Sequence, residues 1–405
     1  MTTVGNFVVL FCLATAVAVA VRRLRVPYTV ALVIVGLVLG SFHFVEPVHL
    51  TKALLFTVFL PGLLFEAAFH IHSVVFKRIW IAITALAVPG VIFAIAITTV
   101  FVTAGLRGFA VVPDFAWGSA MIFAAIVAAT DPVAVTALFR ELHVPDELLV
   151  LVEGESLFND GTAIVFLTLI LAYVAGTPTT ALGLAGNFLL VAGGGALVGA
   201  SFGIGATEVI KRLDDPMIEI TLTMIAAYGS FVLAEDLQVS GVIATVVAGM
   251  LCGNLGRQGA MSDTTRKALE SFWEYIAFAL NSIIFLLIGF EVSIGALAAS
   301  WREIGIAYLA VLLARAIIVY AGRGMFRSLT WGGAVARPAA WSHVLAWGGL
   351  RGALSMVLAL SLDAGLAHRQ LIVTMTTGVV LLSLLIQGLT MAPLLRYLRL
   401  TEPAT

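Results

Sequence analysis

Apolar residues run along this chain in blocks of about twenty, separated by short breaks such as "RRLRVP", "RLDDP" and "RQGAMSDTTRK". A helix of that length spans the ~30 Å hydrocarbon core of a bilayer. The ten-residue alternation that marks barrel strands is absent. The pattern predicts an all-α polytopic membrane protein of thirteen transmembrane helices. They fall at 5–21, 28–43, 52–71, 79–104, 115–139, 147–175, 184–207, 216–235, 239–254, 268–290, 303–321, 339–362 and 370–395.

Composition removes the soluble alternative. Of 405 residues, 61% are hydrophobic and 11% charged, against about 25% charged in ordinary globular domains. A net charge of −1 gives no reason to expect a nucleic-acid partner. The cysteines, Cys12 and Cys252, both fall in spans, with neither disulfide nor metal-type spacing. No cofactor is expected. No basic residue precedes the first apolar block, so it reads as a retained span, not a cleaved signal.

Positive charge sets the orientation. Sixteen of the 22 Lys and Arg lie in odd-numbered connections and the C-terminal tail, and four in the even ones. The N-terminus is therefore expected outside and the C-terminus in the cytoplasm, in a plasma (inner) membrane. No soluble regulatory domain is expected beyond the last span.

Two spans are interrupted. The fifth, "FAWGSAMIFAAIVAATDPVAVTALF", carries Pro132, which lacks an N–H and disfavours helix at Asp131. The twelfth, "WSHVLAWGGLRGALSMVLALSL", has Gly348, Gly349 and Gly352 around Arg351. They stand seven spans apart, and an odd offset reverses direction across the membrane. This spacing predicts two inverted six-helix repeats, with helices 5 and 12 crossing at mid-membrane, where a transporter's site is built. The repeats would cover 1–176 and 213–405, with helix 7 as linker at 177–212.

Ionisable groups at membrane depth are costly, about 3 kcal/mol each when unpaired, and mark function by default. Asp131, Glu155, Asp160, Arg315 and Arg351 all lie inside spans. Three acids against two arginines leave one negative charge over, which calls for a bound cation or a proton. In "VEGESLFNDG", Ser156 and Asp160 share one helix face, and Glu155 and Asn159 the adjoining one. Asp131 adds a carboxylate at an unwound break, with the Thr130 carbonyl free, and hard cations take such oxygen ligands. Asp160 with Asp131 reads as an ion site, and Glu155 as half of a structural ion pair. Arg315 and Arg351 read as counter-charges. Ser156 and Thr130 are ligands or backbone hydrogen-bonders, and Asn159 a ligand or a structural partner. Glu66, nearer a helix end, could add another acid.

At "AATDPVAVTALF", "VEGESLFNDGTAIV" and "WGGLRGALSM" the chain resembles the sodium/proton antiporters of the NhaP/NHE type, the cation:proton antiporter-1 group. "FLPGLLFEAAF", "AEDLQVSGVIATVVAGMLCG", "FWEYIAFALNSIIFLLIGFE" and "LLARAIIVY" extend the resemblance over essentially all spans. It implies a homodimer in which a core of helices 4–6 and 11–13 moves against a dimerising scaffold. Asp160 matches the essential cation- and proton-binding aspartate, and Asn159 the neutral member of an Asn-Asp pair. Thr130, Asp131 and Ser156 match ligand or near-ligand positions, and Glu66 a peripheral acid. Glu155 matches a structural acid paired with Arg351 or Arg315. Pro61-Gly62 stands where many relatives have two prolines, and the long regulatory tail of animal and plant relatives is not expected here.

The expected activity is secondary active exchange of Na+, or Li+ or K+, for H+ by alternating access. Na+ would sit at Asp160 and Asp131. Asn159, being uncharged, implies electroneutral exchange by the same resemblance, and a role in pH and sodium homeostasis follows. Two other classes use the same acids: a cation channel lined by them, and an intramembrane aspartyl hydrolase with Asp131 and Asp160 as its acid–base pair.

Overall fold

The computed structural model describes residues 3–24, 28–41, 55–176, 181–255, 261–291, 293–328 and 339–400, which form helices and turns without a strand. In chain order the helices begin with α1 (Thr3–Leu24), α2 (Tyr28–Ser41), α3 (55–70) and α4 (Ser73–Gly108). The next segment is cut into α5 (Trp117–Ile126) and α6 (Val133–Glu141). Then come α7 (Asp146–Val174), α8 (Ala181–Ile210), α9 (Pro216–Asp236), α10 (Gly241–Leu255) and α11 (Asp263–Glu291). A short α12 (Ile294–Ala299), which the apolar pattern does not announce, precedes α13 (Trp301–Ser328). A second interrupted segment, α14 (Ala339–Trp347) and α15 (Ala353–Leu360), leads to α16 (Arg369–Tyr397).

Stretches of α4, α7, α8, α9, α11, α13 and α16 are each long and apolar enough to cross a membrane alone. α2, α3, α5 and α10 include shorter apolar runs. The chain is a multi-pass membrane protein. Residues 42–54, which the sequence divides between the second and third spans, lie outside the described residues.

The elements differ from the sequence pattern mainly at their joints. α4 runs from 73 to 108, past both expected bounds of 79–104, and passes through Pro89. A π-helical turn at 86–90 absorbs the missing N–H. Similar turns open α3 at 55–59 and interrupt α9 at 225–229 and α16 at 383–388.

With no water in hydrocarbon to reward apolar burial, helices associate through close packing, for which small residues are suited. α2 lies against α11 in this way. Gly36 and Gly289 face one another, and a Cβ on Gly36 would run into the Leu286 carbonyl. One apolar cluster joins α4, α5, α7, α13, α15 and α16 through Val102, Phe123, Ala163, Ala310, Leu358 and Met375. Another joins α3, α8, α9, α10 and α11 around Phe65, Phe69 and Trp273. The interrupted segments meet at the first cluster's edge.

Candidate functional site

The two breaks touch. α5 ends at Ile126, and Ala129 to Pro132 are non-helical before α6 begins, as Pro132 requires. Residues 348–352, rich in glycine, separate α14 from α15. The Asp131 N–H donates to the Leu350 carbonyl at 2.9 Å, so each break satisfies part of the other's backbone. Ser355 Oγ of α15 donates to the Ile126 carbonyl at 2.9 Å, a second tie between them.

Charge follows the helix ends. The Asp131 carboxylate accepts from the Val133 N–H at 3.0 Å, and the Ala353 backbone also acts on it; these are the first residues of α6 and α15. Two positive dipole ends therefore converge on one acid. Arg351 does the reverse: its Nη1 donates to the Ala128 and Ala129 carbonyls at 2.9 and 3.0 Å, at the end of α5. Ser383 and Gln387, in the π turn of α16, brace the second break. Arg351 N donates to Ser383 Oγ at 3.1 Å, and Gln387 Nε2 to the Trp347 carbonyl at 3.0 Å.

Gly352 has no room for a side chain, since an added Cβ would fall onto the Asp131 carboxylate. The last residue of the break is thus shaped around Asp131.

Glu155, buried on α7, is held by both nitrogens of the Arg315 fork, Nη2 at 2.6 Å from Oε2 and Nη1 on Oε1. Arg315 Nε also donates to the Leu345 carbonyl at 3.0 Å. Of the two arginines the sequence left open, Arg315 is the one that bonds Glu155.

Asn159 and Thr130 satisfy each other. Asn159 Nδ2 donates to Thr130 Oγ1 at 2.6 Å, and its Oδ1 accepts from the Thr130 N–H at 3.2 Å. Thr130 Oγ1 also shares a hydrogen bond with Ser156 Oγ at 2.8 Å. In this conformation both ends of the Asn159 amide are engaged by the break.

Asp160 differs from all of these. Its Oδ1 is buried with no hydrogen-bond partner. The carboxylate looks into a cavity of about 310 Å³ that Thr130 and Asp131 also line. The cavity extends to Glu66, Arg140 and Glu153 at helix ends. There His70 Nδ1 lies 3.2 Å from Glu66 Oε1, and Arg140 Nη2 donates to Glu153 Oε1 at 2.8 Å. Asp160, Asp131 and Thr130 thus gather at one end of the cavity and Glu66 stands at the other. Ser156 reaches the group only through Thr130.

Sequence reasoning missed Ser355, Ser383, Gln387 and the Arg140–Glu153 pair. Ser383 and Gln387 carried a signal, being polar residues four apart in the apolar run "LLSLLIQG". Among the described residues no group of three or more His, Cys, Asp and Glu could hold a metal ion.

A family described as "Sodium/hydrogen exchanger, transmembrane" matches residues 8–397. The Na(+)/H(+) antiporter ApNhaP of Aphanothece halophytica is 41% identical over 93% of this chain and 70% of its own length. The antiporter NhaH of Halobacillus dabanensis is 34% identical over 97% of each chain. NhaP of Pseudomonas aeruginosa is 38% identical over 86% of this chain and 82% of its own. Among solved structures, the sodium proton antiporter MjNhaP1 of Methanocaldococcus jannaschii superposes with a TM-score of 0.79 over 98% of both chains at 21% identity, a likeness of fold. A match spanning nearly the whole chain, with relatives this similar over most of their lengths, makes the protein a member of the sodium/hydrogen exchanger family.

Proposed function

We propose that this protein is a secondary transporter, not an enzyme, that exchanges Na+ for H+ across the membrane, with Asp160 binding each in turn. The observation that carries this reading is the carboxylate of Asp160. It has no donor from the protein, opens on a cavity, and lies beside Asp131 and Thr130. Every other acid at that depth is satisfied: Glu155 by Arg315, and Asp131 by two helix N-termini. A carboxylate at membrane depth without a protein donor favours a positive guest, and one carboxylate accommodates a proton or a dehydrated alkali cation, not both.

Asp160 and Asp131 carboxylate oxygens, with the hydroxyls of Thr130 and Ser156 near by, form a hard-oxygen ligand set suited to such a cation. Asn159 supports the set by holding Thr130, and its lack of charge favours electroneutral exchange. The cavity runs toward Arg140, Glu153 and Glu66. The loop-charge count assigns these helix ends to the cytoplasm of a cell whose plasma membrane holds the chain, so this conformation faces inward. Alternating access follows if the cluster of α4 to α7 and α13 to α16 moves against the remaining helices. These two bodies would be the core and the dimerising scaffold of two inverted repeats in a lipid-embedded homodimer. Reconstitution into proteoliposomes tests the reading. A sodium gradient should drive opposite proton movement in the wild type and none in Asp160→Asn. Saturating exchange supports an antiporter, and non-saturating sodium flux without proton counterflow would contradict it.

A further inference from the structure

One buried acid has no part in this chemistry. Glu219 lies in the first turn of α9, is 0% exposed, and neither of its carboxylate oxygens has a hydrogen-bond partner. Contacts on either side fix the seam it occupies. One turn further on, Trp273 Nε1 of α11 donates to Thr223 Oγ1 at 3.1 Å. Before it, Thr265 Oγ1 of α11 reaches Asp214 Oδ1 at 3.5 Å. Residues 219 and 223 share a helix face, so Glu219 points toward α11, where Leu269 between the two contacts is also 0% exposed.

Among the described residues, the charges around the seam do not neutralise it. Asp214 and Asp215 act on Glu219 with acidic side chains, and the Asp215 backbone also acts on it, but outside hydrogen-bond geometry. Asp215 is engaged by the Met217 and Ile218 N–H groups. At the end of α8, Lys211 and Arg212 pair with Glu208. On α11, Arg266 pairs with Asp263 at 3.0 Å, Lys267 is exposed, and Glu270 is one more acid.

An ionised carboxylate withdrawn from water with neither donor nor counter-charge is strongly unfavourable. We propose that Glu219 is a second site for one positively charged guest, a proton or a small alkali cation, held in the seam between α9 and α11 and separate from Asp160. The donor set is too small to cage a polyvalent metal. When the guest is bound, α9 and α11 can close on a neutral pair; without it, the bare carboxylate opposes their packing. This part of the molecule would then respond to proton or sodium activity on its own side of the membrane.

The test uses the full chain, purified as Asp160→Asn, with and without Glu219→Gln. Infrared spectra across a pH titration read the proton, and Glu219→Gln should lose one protonated-carboxyl band. Thermal unfolding in sodium chloride against choline chloride reads the alkali cation, and Glu219→Gln should lose a sodium-dependent rise in Tm. Either loss supports the proposal and identifies the guest. Identical bands together with identical sodium dependence would overturn it. Glu219→Leu carries the same two readouts should the Gln variant fold poorly. The paired proteins differ only at residue 219, so the outcome stands apart from the role of Asp160. With Asp160 intact, Glu219→Gln should retain exchange.

Discussion

The backbone N–H of Asp131 donates to the carbonyl of Leu350 at 2.9 Å, joining two breaks that lie more than two hundred residues apart in sequence. Around that bond, acid and base are sorted by helix polarity. The Asp131 side chain lies at the N-terminal ends of α6 and α15, and Arg351 at the C-terminal end of α5. An irregular backbone at membrane depth survives only where protein satisfies its polar groups or it lines a watery cavity. Both conditions hold here, and at this crossing Asp160 Oδ1 is left buried without a hydrogen-bond partner.

Gly352→Ala should damage transport without contacting the ion. The new methyl would fall where the Asp131 carboxylate stands, and overpacking of this kind costs about 1–3 kcal/mol. We expect a higher KM for sodium and slower exchange. In an Asp131→Ala background, Gly352→Ala should add little, because the side chain it strikes is gone. Exchange rates of the four proteins form a cycle that separates this from a general packing defect.

Arg315→Leu should destabilise the fold. It strands Glu155, which is 2% exposed, and breaking a buried pair by removing one partner costs about 3–5 kcal/mol. Adding Glu155→Leu should restore much of the loss, since an apolar pair carries no stranded charge. Thermal unfolding of the detergent-solubilised proteins measures both steps.

Asn159→Ala removes the two hydrogen bonds that Asn159 makes to Thr130, leaving Thr130 the Ser156 hydroxyl. Leaving a buried N–H unsatisfied costs about 1–3 kcal/mol. The expected result is a sodium KM higher by about ten- to a hundredfold, given ~1.4 kcal/mol per decade, with a smaller change in Tm than Arg315→Leu causes. Initial exchange rates at a series of sodium concentrations check it.

Competition for a single carboxylate fixes the pH dependence. Acidification fills Asp160 with protons, so apparent sodium affinity must fall as pH falls. In the acidic limit, one proton displaced per cation gives about a tenfold change in KM per pH unit, by linkage. A slope near two would mean that a second acid titrates with Asp160.

Much of this was legible in the sequence, for physical reasons that differ by level. Apolar blocks locate helices because a bilayer admits no unsatisfied backbone, and Pro132 and the glycines near Arg351 mark where helices stop. The acids at Asp131, Glu155 and Asp160 stand out because charge at that depth is rare. What remained hidden depends on how distant segments meet. No one-dimensional pattern shows that Arg315 bonds Glu155 while Arg351 takes carbonyls. The same holds for Asn159, whose partner is the backbone and hydroxyl of Thr130, twenty-nine residues away. The π turn that carries α4 through Pro89 likewise has no sequence pattern of its own.

The central claim is tested most directly by adding sodium chloride to the purified wild-type protein in weakly buffered detergent and following the pH. If one carboxylate serves both ions, sodium should expel about one proton per protomer from the Asp160 site, so Asp160→Asn should release about one proton fewer than the wild type. Equal proton release from Asp160→Asn, or sodium binding to the wild type with no proton released, would contradict the account.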